Sequence, residues 1–174
     1  MLCFANAMKK QLLFPLCLIL AGFAGLSAGT ARSGDFIAAR TAYIELDFKE
    51  AARLFFELAN EGDHRGQSFM GRMHEMGWGV NKDLRESIRW HQLAAKQGNG
   101  YSAQKIAMAY WTGEGAQQDP VRAEMWFTIA IQRGFGWADR VSLEKNLTQQ
   151  QVIRGRDMAG KYMKENNLTY KTKK

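Results

Sequence analysis

Apolar side chains recur along this chain at helical spacing, in segments that lie 36 residues apart. Leu54, Trp90 and Trp126 occupy the same place in three successive segments. Each of them is followed one helical turn later by an apolar or small residue, at Leu58, Ala94 and Ala130. Side chains three to four positions apart share one face of an α-helix, so each segment is predicted to be a helix with one buried stripe.

Glycine and aspartate repeat with the same offset and predict where these helices begin and end. Helix ends are expected at glycines, which adopt the left-handed conformation without a steric cost: Gly62, Gly98 and Gly134. Helix starts are expected at aspartates, whose carboxylates can cap the first turn: Asp47, Asp83 and Asp119. Glu50 and Glu86, three residues after the first two aspartates, are predicted to complete capping boxes. Two Gly-x-Gly turns, at 77–79 and 113–115, then separate the paired helices.

Together these signals predict eight helices that form four helical hairpins. A last helix is expected after Thr148, which with Gln151 has the spacing of a capping box. The predicted helices, in pairs, are 33–45 with 48–60, 65–76 with 84–97, 101–112 with 120–133, and 137–146 with 149–165. The fold class is therefore expected to be all-α.

The segment from Gly71 to Asp83, followed by Trp90, Gln97 and Gly98, resembles the Sel1-like repeat, a relative of the tetratricopeptide repeat. The resemblance implies a right-handed α-solenoid, in which stacked hairpins bury one continuous core. It implies a repeat domain over residues 32–166, made of four units: a repeat-like segment at 35–63, full repeats at 66–100 and 101–134, and a closing helix pair at 137–165. His74 and His91 depart from the pattern, because aromatic residues are commoner there, so both histidines are expected to be packed residues.

The same resemblance implies a non-enzymatic adaptor that binds a peptide or protein segment on a concave surface in the cell envelope, and we expect the protein to be exported by a bacterial cell, into the periplasm or as a secreted protein. The first helix of each hairpin builds that surface, and helical periodicity assigns nine candidate binding residues to it. They are Phe36, Arg40, Tyr43, Ser68, Arg72, Glu75, Gln104, Met108 and Trp111. Arg40 and Arg72 fall at equivalent places on adjacent first helices, so an acidic stretch in the bound segment is expected.

The N-terminal residues have the three parts of a secretory leader. Lys9 and Lys10 precede an apolar run over 12–23, and small residues end at Ala31, after which cleavage is expected. The true start is Met1 or Met8, and retention of the leader as an anchor stays an alternative. The 174-residue chain has a net charge of +7 and two cysteines, both before residue 31, so the exported domain is expected to fold without disulfides. Residues 167–174 form a predicted basic tail.

Other kinds of function remain as alternatives on weaker sequence signals. Export, basic charge and three tryptophans outside the repeat-core positions suit a peptidoglycan-associated factor or a regulator of a wall enzyme: Trp78, Trp111 and Trp137. A β-lactam-binding hydrolase is a remote alternative, because no nucleophile arrangement is recognisable in the sequence. No catalytic residue, metal site, cofactor or nucleic-acid partner is predicted. His74-Glu75 begins like a zinc helix, but Trp78 occupies the place where the second histidine is required.

Overall fold

The computed structural model describes residues 33 to 168, with side chains from Asp35 onward. The predicted leader, and residues 169–174 of the predicted basic tail, lie outside this part of the chain. Eight α-helices and no strand occur in the described residues, which confirms the expected all-α solenoid. They are α1 (Ser33–Ile44), α2 (Phe48–Asn60), α3 (His64–Met76), α4 (Leu84–Lys96), α5 (Gly100–Thr112), α6 (Pro120–Ile131), α7 (Trp137–Glu144) and α8 (Gln149–Glu165).

The first helices of successive hairpins lie side by side. The rings of Tyr43 in α1 and Phe69 in α3 meet edge to face, with 5.3 Å between their centroids. The Ser102 hydroxyl of α5 donates to Ser68 Oγ of α3 over 3.1 Å, and Gln104 Nε2 donates to Asp139 Oδ2 of α7 over 2.6 Å. The face built from α1, α3, α5 and α7 is called the concave face below.

Helix capping follows the predicted aspartates but not the predicted capping boxes. Asp47 accepts from the backbone N–H of Glu50, and Asp83 accepts from that of Glu86. The Glu50 and Glu86 carboxylates do not accept from the backbone N–H groups of the cap residues. They accept from Arg53 and Arg89, one turn later in the helix. The reason is that each cap N–H already has a partner, since Asp47 donates to the Ala42 carbonyl and Asp83 to the His74 carbonyl.

The capping box at the start of α8 is confirmed. Thr148 Oγ1 accepts from the Gln151 N–H, and the Gln151 side chain accepts from the Thr148 N–H over 2.9 Å. No backbone carbonyl in the described part of the chain accepts from the Thr148 N–H, so the box forms here.

The second glycine of each Gly-x-Gly turn is required by packing as well as by backbone conformation. Gly79 has a φ of +69°, and a Cβ there would lie 1.9 Å from the Phe48 carbonyl oxygen. At Gly115 a Cβ would lie 2.7 Å from Leu84 Cβ. Each turn therefore rests against the start of the second helix of the hairpin before it, and only glycine leaves room for this contact.

The buried side chains form two clusters along the solenoid. The N-terminal cluster is rich in aromatic rings, which come from α1 to α4 and the turn after α3: Phe36, Tyr43, Phe48, Phe55, Phe69, Trp78 and Trp90. The C-terminal cluster joins α4, α5, α6 and α8 through alanines and aliphatic side chains around Trp126 and Phe127. The predicted stripe is buried at Trp90, Trp126 and the residues one turn later, whereas Leu54 is only partly buried.

The closing helix pair is held by an ion network around a carboxylate of α6. Glu124 is 0% exposed, and its Oε1 lies 3.0 Å from Arg140 Nη2 of α7 and 3.3 Å from Arg156 Nε of α8. Glu144 bridges the same two arginines at 2.7 and 2.6 Å. Burial of Glu124 raises its pKa although both guanidiniums oppose this change.

Candidate functional site

The nine predicted binding residues lie on the first helices, but they differ in what they offer to a ligand. Arg40 is exposed, and Ser68 is buried at the contact with Ser102. The other seven are partly buried. Exposure alone therefore does not define a site, and the contacts of each side chain decide which of them is available.

Four of the seven partly buried residues are engaged in packing or in contacts between helices. Phe36 and Tyr43 belong to the N-terminal aromatic cluster. Gln104 bonds to Asp139 of α7, and the Trp111 ring meets Phe127 edge to face at 6.0 Å. Two more are engaged as well, because Glu75 pairs with Lys105 of α5 and Met108 packs against the C-terminal cluster. Of the seven, Arg72 is left as the charged group without an ion-pair partner in the described residues.

Arg72 is the cation that the structure places most suitably for binding. Its guanidinium carbon lies 5.6 Å from the centroid of Tyr43 and 5.6 Å from that of Trp78. Trp78 is itself stacked on Phe48, with 4.8 Å between ring centroids and an interplanar angle of 11°. No carboxylate pairs with Arg72 among the described residues. Aromatic faces therefore position this charge without neutralising it.

An open cavity of about 170 Å³ lies beside Arg72, between α3 and α5. It is lined by Ser68, Phe69, Arg72 and Tyr101. The Phe69 ring is fixed by a parallel stack on Phe55, with centroids 4.2 Å apart and an interplanar angle of 5°. Phe69 and Tyr101 are not among the nine residues predicted from the sequence. The helical spacing of Phe69, three residues before Arg72, is the signal that could have found the first of them.

The next charge along the concave face is already neutralised. Lys105 Nζ of α5 lies 2.8 Å from Glu75 Oε1 of α3, and both side chains are about one third exposed. Burial alone would lower the Lys105 pKa, but the hydrogen bond that Lys105 donates to Glu75 and its interactions with Tyr101 outweigh burial and raise the pKa. Among residues 33–168, the face thus has a cation without a carboxylate partner at Arg72 and a closed ion pair between α3 and α5.

A second cavity, of about 150 Å³, lies between α4 and α5 and is lined in part by His91, Lys105 and Glu75. His91 Nδ1 lies 3.0 Å from Ser102 Oγ, a distance that suits a base and a nucleophile. His91 is 1% exposed and Ser102 0% exposed, and the Ser102 hydroxyl donates to Ser68 Oγ rather than to the imidazole. Burial lowers the His91 pKa to about 3, and Lys105 adds to the shift. The pair is a packing contact, as expected for His91 in an aromatic position.

The remaining sequence candidates also have defined places. Trp78 and Trp111 pack on the two clusters, and Trp137 is 67% exposed. Within residues 33–168 no group of three or more His, Cys, Asp or Glu side chains is arranged to hold a metal ion. None of the described helices has the length and apolar character that crossing a bilayer requires.

Comparisons with known proteins agree with the all-α repeat fold described above. The Sel1 repeat family profile matches residues 64–99 and 101–135. The chain is similar in structure to c5321, a protective antigen present in uropathogenic Escherichia coli strains that displays an SLR fold, with 26% identity and a TM-score of 0.71 over 76% of this chain and 30% of that one. It also shares its fold with a Sel1 repeat protein from Oxalobacter formigenes, with 16% identity and a TM-score of 0.56 over 72% of this chain and 55% of that one. The chain thus spans less than two thirds of either protein, and no curated protein sequence matches it.

Proposed function

Because this chain is a Sel1-like repeat protein, we propose that it is a non-enzymatic adaptor that binds a segment of another protein across its concave face. Sel1 repeat proteins typically mediate protein–protein interaction. The observation that carries the proposal is Arg72, which lies on two aromatic rings without a carboxylate partner in the described residues and borders an apolar cavity. Arginine and aromatic side chains in such settings dominate the energetics of many protein interfaces.

The rigidity of the concave face supports binding by an extended segment. Phe69 and Trp78 are both held in parallel stacks, on Phe55 and Phe48 respectively. A face that is ordered before binding loses little conformational entropy in the complex, which favours affinity. The alternative of a peptidoglycan-associated factor gains no such support. Of the three tryptophans outside the repeat-core positions, Trp78 and Trp111 are packed and Trp137 is exposed.

The test is crosslinking capture from bacterial envelopes with the exported chain as bait. Arg40→Gln combined with Arg72→Gln removes two positive charges from the concave face. Arg85→Gln combined with Arg154→Gln removes two exposed charges from α4 and α8 and serves as the matched control. We expect the concave double variant to lose at least about tenfold in capture and the control to retain it, with thermal midpoints within a few degrees of the parent. Equal capture by the two variants would place the binding surface elsewhere.

We also propose that the protein acts in the cell envelope. The proposal rests on the leader pattern that ends at Ala31. Osmotic-shock fractionation of cells that express the whole chain tests it. A periplasmic product whose N-terminal sequence begins at Arg32 is expected, and a full-length product confined to the cytosol would contradict it.

A further inference from the structure

We infer that the concave face recognises a carboxylate that lies next to an apolar side chain, with the carboxylate on Arg72 and the side chain in the cavity between Phe69 and Tyr101. The inference rests on the proposed function and specifies the chemistry of the bound segment. It narrows the acidic stretch expected from the sequence to one acidic group at one position.

The guanidinium of Arg72 lies over two aromatic rings. Its guanidinium carbon is equidistant from the Tyr43 and Trp78 rings, at 5.6 Å from each centroid. Aromatic rings do not use up the N–H groups of a guanidinium as a carboxylate would, and no carboxylate of the described residues pairs with Arg72, so its donors are available. A carboxylate can accept two of them in parallel, which is the strongest arrangement that a guanidinium offers to an anion.

The second step is the charge balance around the cavity. Lys105 is paired with Glu75, and Arg65 is paired with Asp63 over 2.6 Å. Arg72 is therefore the cation bordering the cavity that has no carboxylate partner among the described residues. A single carboxylate neutralises it, and no second cation is among the residues that line the cavity in the described part of the chain. The site fits one acidic group rather than an acidic run.

The third step is the size and lining of the cavity. Its volume is about 170 Å³, and a protein cavity of about 150 Å³ with an apolar lining holds a benzene molecule. The space therefore accepts one aliphatic side chain or one aromatic ring. Phe69 and Tyr101 present apolar surface there, and burial of a Leu-sized side chain contributes about 1.5–3 kcal/mol before the costs of association.

Two sources supply this chemistry: an Asp or Glu adjacent to an apolar residue within a chain, or the terminal carboxylate of a chain that ends in an apolar residue. Four small probes distinguish them. N-acetyl-leucine represents the chain end, and N-acetyl-aspartyl-leucinamide the internal acid. N-acetyl-leucinamide lacks the carboxylate, and N-acetylglycine lacks the apolar side chain.

The experiment is an NMR titration of the whole chain with each probe, read on the Trp78 indole N–H and the Tyr101 backbone amide. We expect at least one acidic leucine probe to shift both signals and to bind at least about tenfold more tightly than N-acetyl-leucinamide and N-acetylglycine. Arg72→Gln should abolish the preference for acid over amide. Arg72→Lys should restore part of it, and Arg85→Gln should leave it unchanged.

The outcomes separate this inference from the proposed function. Equal binding of acid and amide probes to the parent chain, or shifts that map away from Trp78 and Tyr101, would overturn the inference. If the inference of a carboxylate site fails but capture from envelopes still depends on Arg40 and Arg72, the proposed adaptor function stands. If the probes behave as expected while capture is indifferent to both arginines, the carboxylate site stands and the adaptor function fails.

Discussion

The two halves of the solenoid are held together by different chemistry. In the N-terminal half, aromatic rings stack on one another, as Phe55 does on Phe69 and Phe48 on Trp78. In the C-terminal half, alanines allow close approach of the helices, and the buried Glu124 joins α6 to α7 and α8 through two arginines.

This difference assigns the candidate binding site to the N-terminal half and the end of the helical array to the C-terminal half. Ring faces at the edge of the N-terminal cluster still accept a cation, and Arg72 lies on them. The Glu124 network uses its charges internally and gives the array an ordered end. The half with spare aromatic surface is therefore the half that carries the candidate site, and the following substitutions test that division.

The largest effect is expected from Trp126→Ala and Trp90→Ala. Each removes a large buried ring from one of the two clusters and should lower the free energy of unfolding by about 3–5 kcal/mol. The clusters share the interface between α4 and α5, so each variant should unfold in a single transition, measured by chemical denaturation with helical circular dichroism. Two separate transitions would show that the halves fold independently.

A smaller effect is expected from Glu124→Gln. The substitution removes the buried charge that accepts from Arg140 and Arg156, and hydrogen bonds of charged groups contribute about 1.5–3 kcal/mol. Glu144 still bridges both arginines, which limits the loss. Hydrogen exchange should show the loss of protection first in α7 and α8. Loss confined to α1 and α2 would contradict the role given to the network.

The pH dependence of the N-terminal half should come largely from His91. Its pKa falls from 6.5 to about 3 on folding because burial disfavours the imidazolium. Below about pH 6.5 the imidazole therefore binds a proton in the unfolded chain but not in the folded chain. The free energy of unfolding decreases as the pH falls. At pH 5 the loss relative to pH 8 is about 2 kcal/mol.

His91→Phe tests this assignment, because Phe127 fills the equivalent place one repeat later. The variant should show little of that loss between pH 8 and pH 5 when its urea unfolding is measured at both values. His64→Phe, at a solvent-exposed position, is the control and should keep the full dependence of the parent. An undiminished dependence in His91→Phe would assign the effect to other groups.

The smallest effects are expected at Trp78 and Trp137, two of the three tryptophans outside the repeat-core positions. Trp78→Ala removes a half-buried ring that stacks on Phe48 and should cost about 1–2 kcal/mol, less than Trp90→Ala. Trp137→Ala removes a mostly exposed ring from α7 and should stay within about 0.5 kcal/mol of the parent. Thermal unfolding of both variants in parallel checks the order, and a reversed order would mean that the exposed face of α7 is covered in solution.

Much of the fold could be predicted because the determining signals are local. The left-handed glycines at Gly62, Gly98 and Gly134 and the aspartate caps each act within one turn of the backbone. The 36-residue offset then identifies equivalent positions without any knowledge of contacts. The prediction of capping boxes at Glu50 and Glu86 was wrong because the deciding contact is not local. The carbonyl that accepts from each cap N–H lies in the preceding helix.

The sequence by itself determined the helices, their pairing and the set of first helices that carries the concave face. Tertiary structure alone decided which side chains on that face remain available. Trp111 packs on Phe127 and Lys105 pairs with Glu75, whereas Arg72 rests on Tyr43 and Trp78 beside a cavity that Phe69 and Tyr101 complete. Periodicity fixes the direction of a side chain from its helix axis. Its neutralisation or burial depends on which residues of other helices and turns approach it. Lys105 and Glu75, for example, are 30 residues apart in the chain.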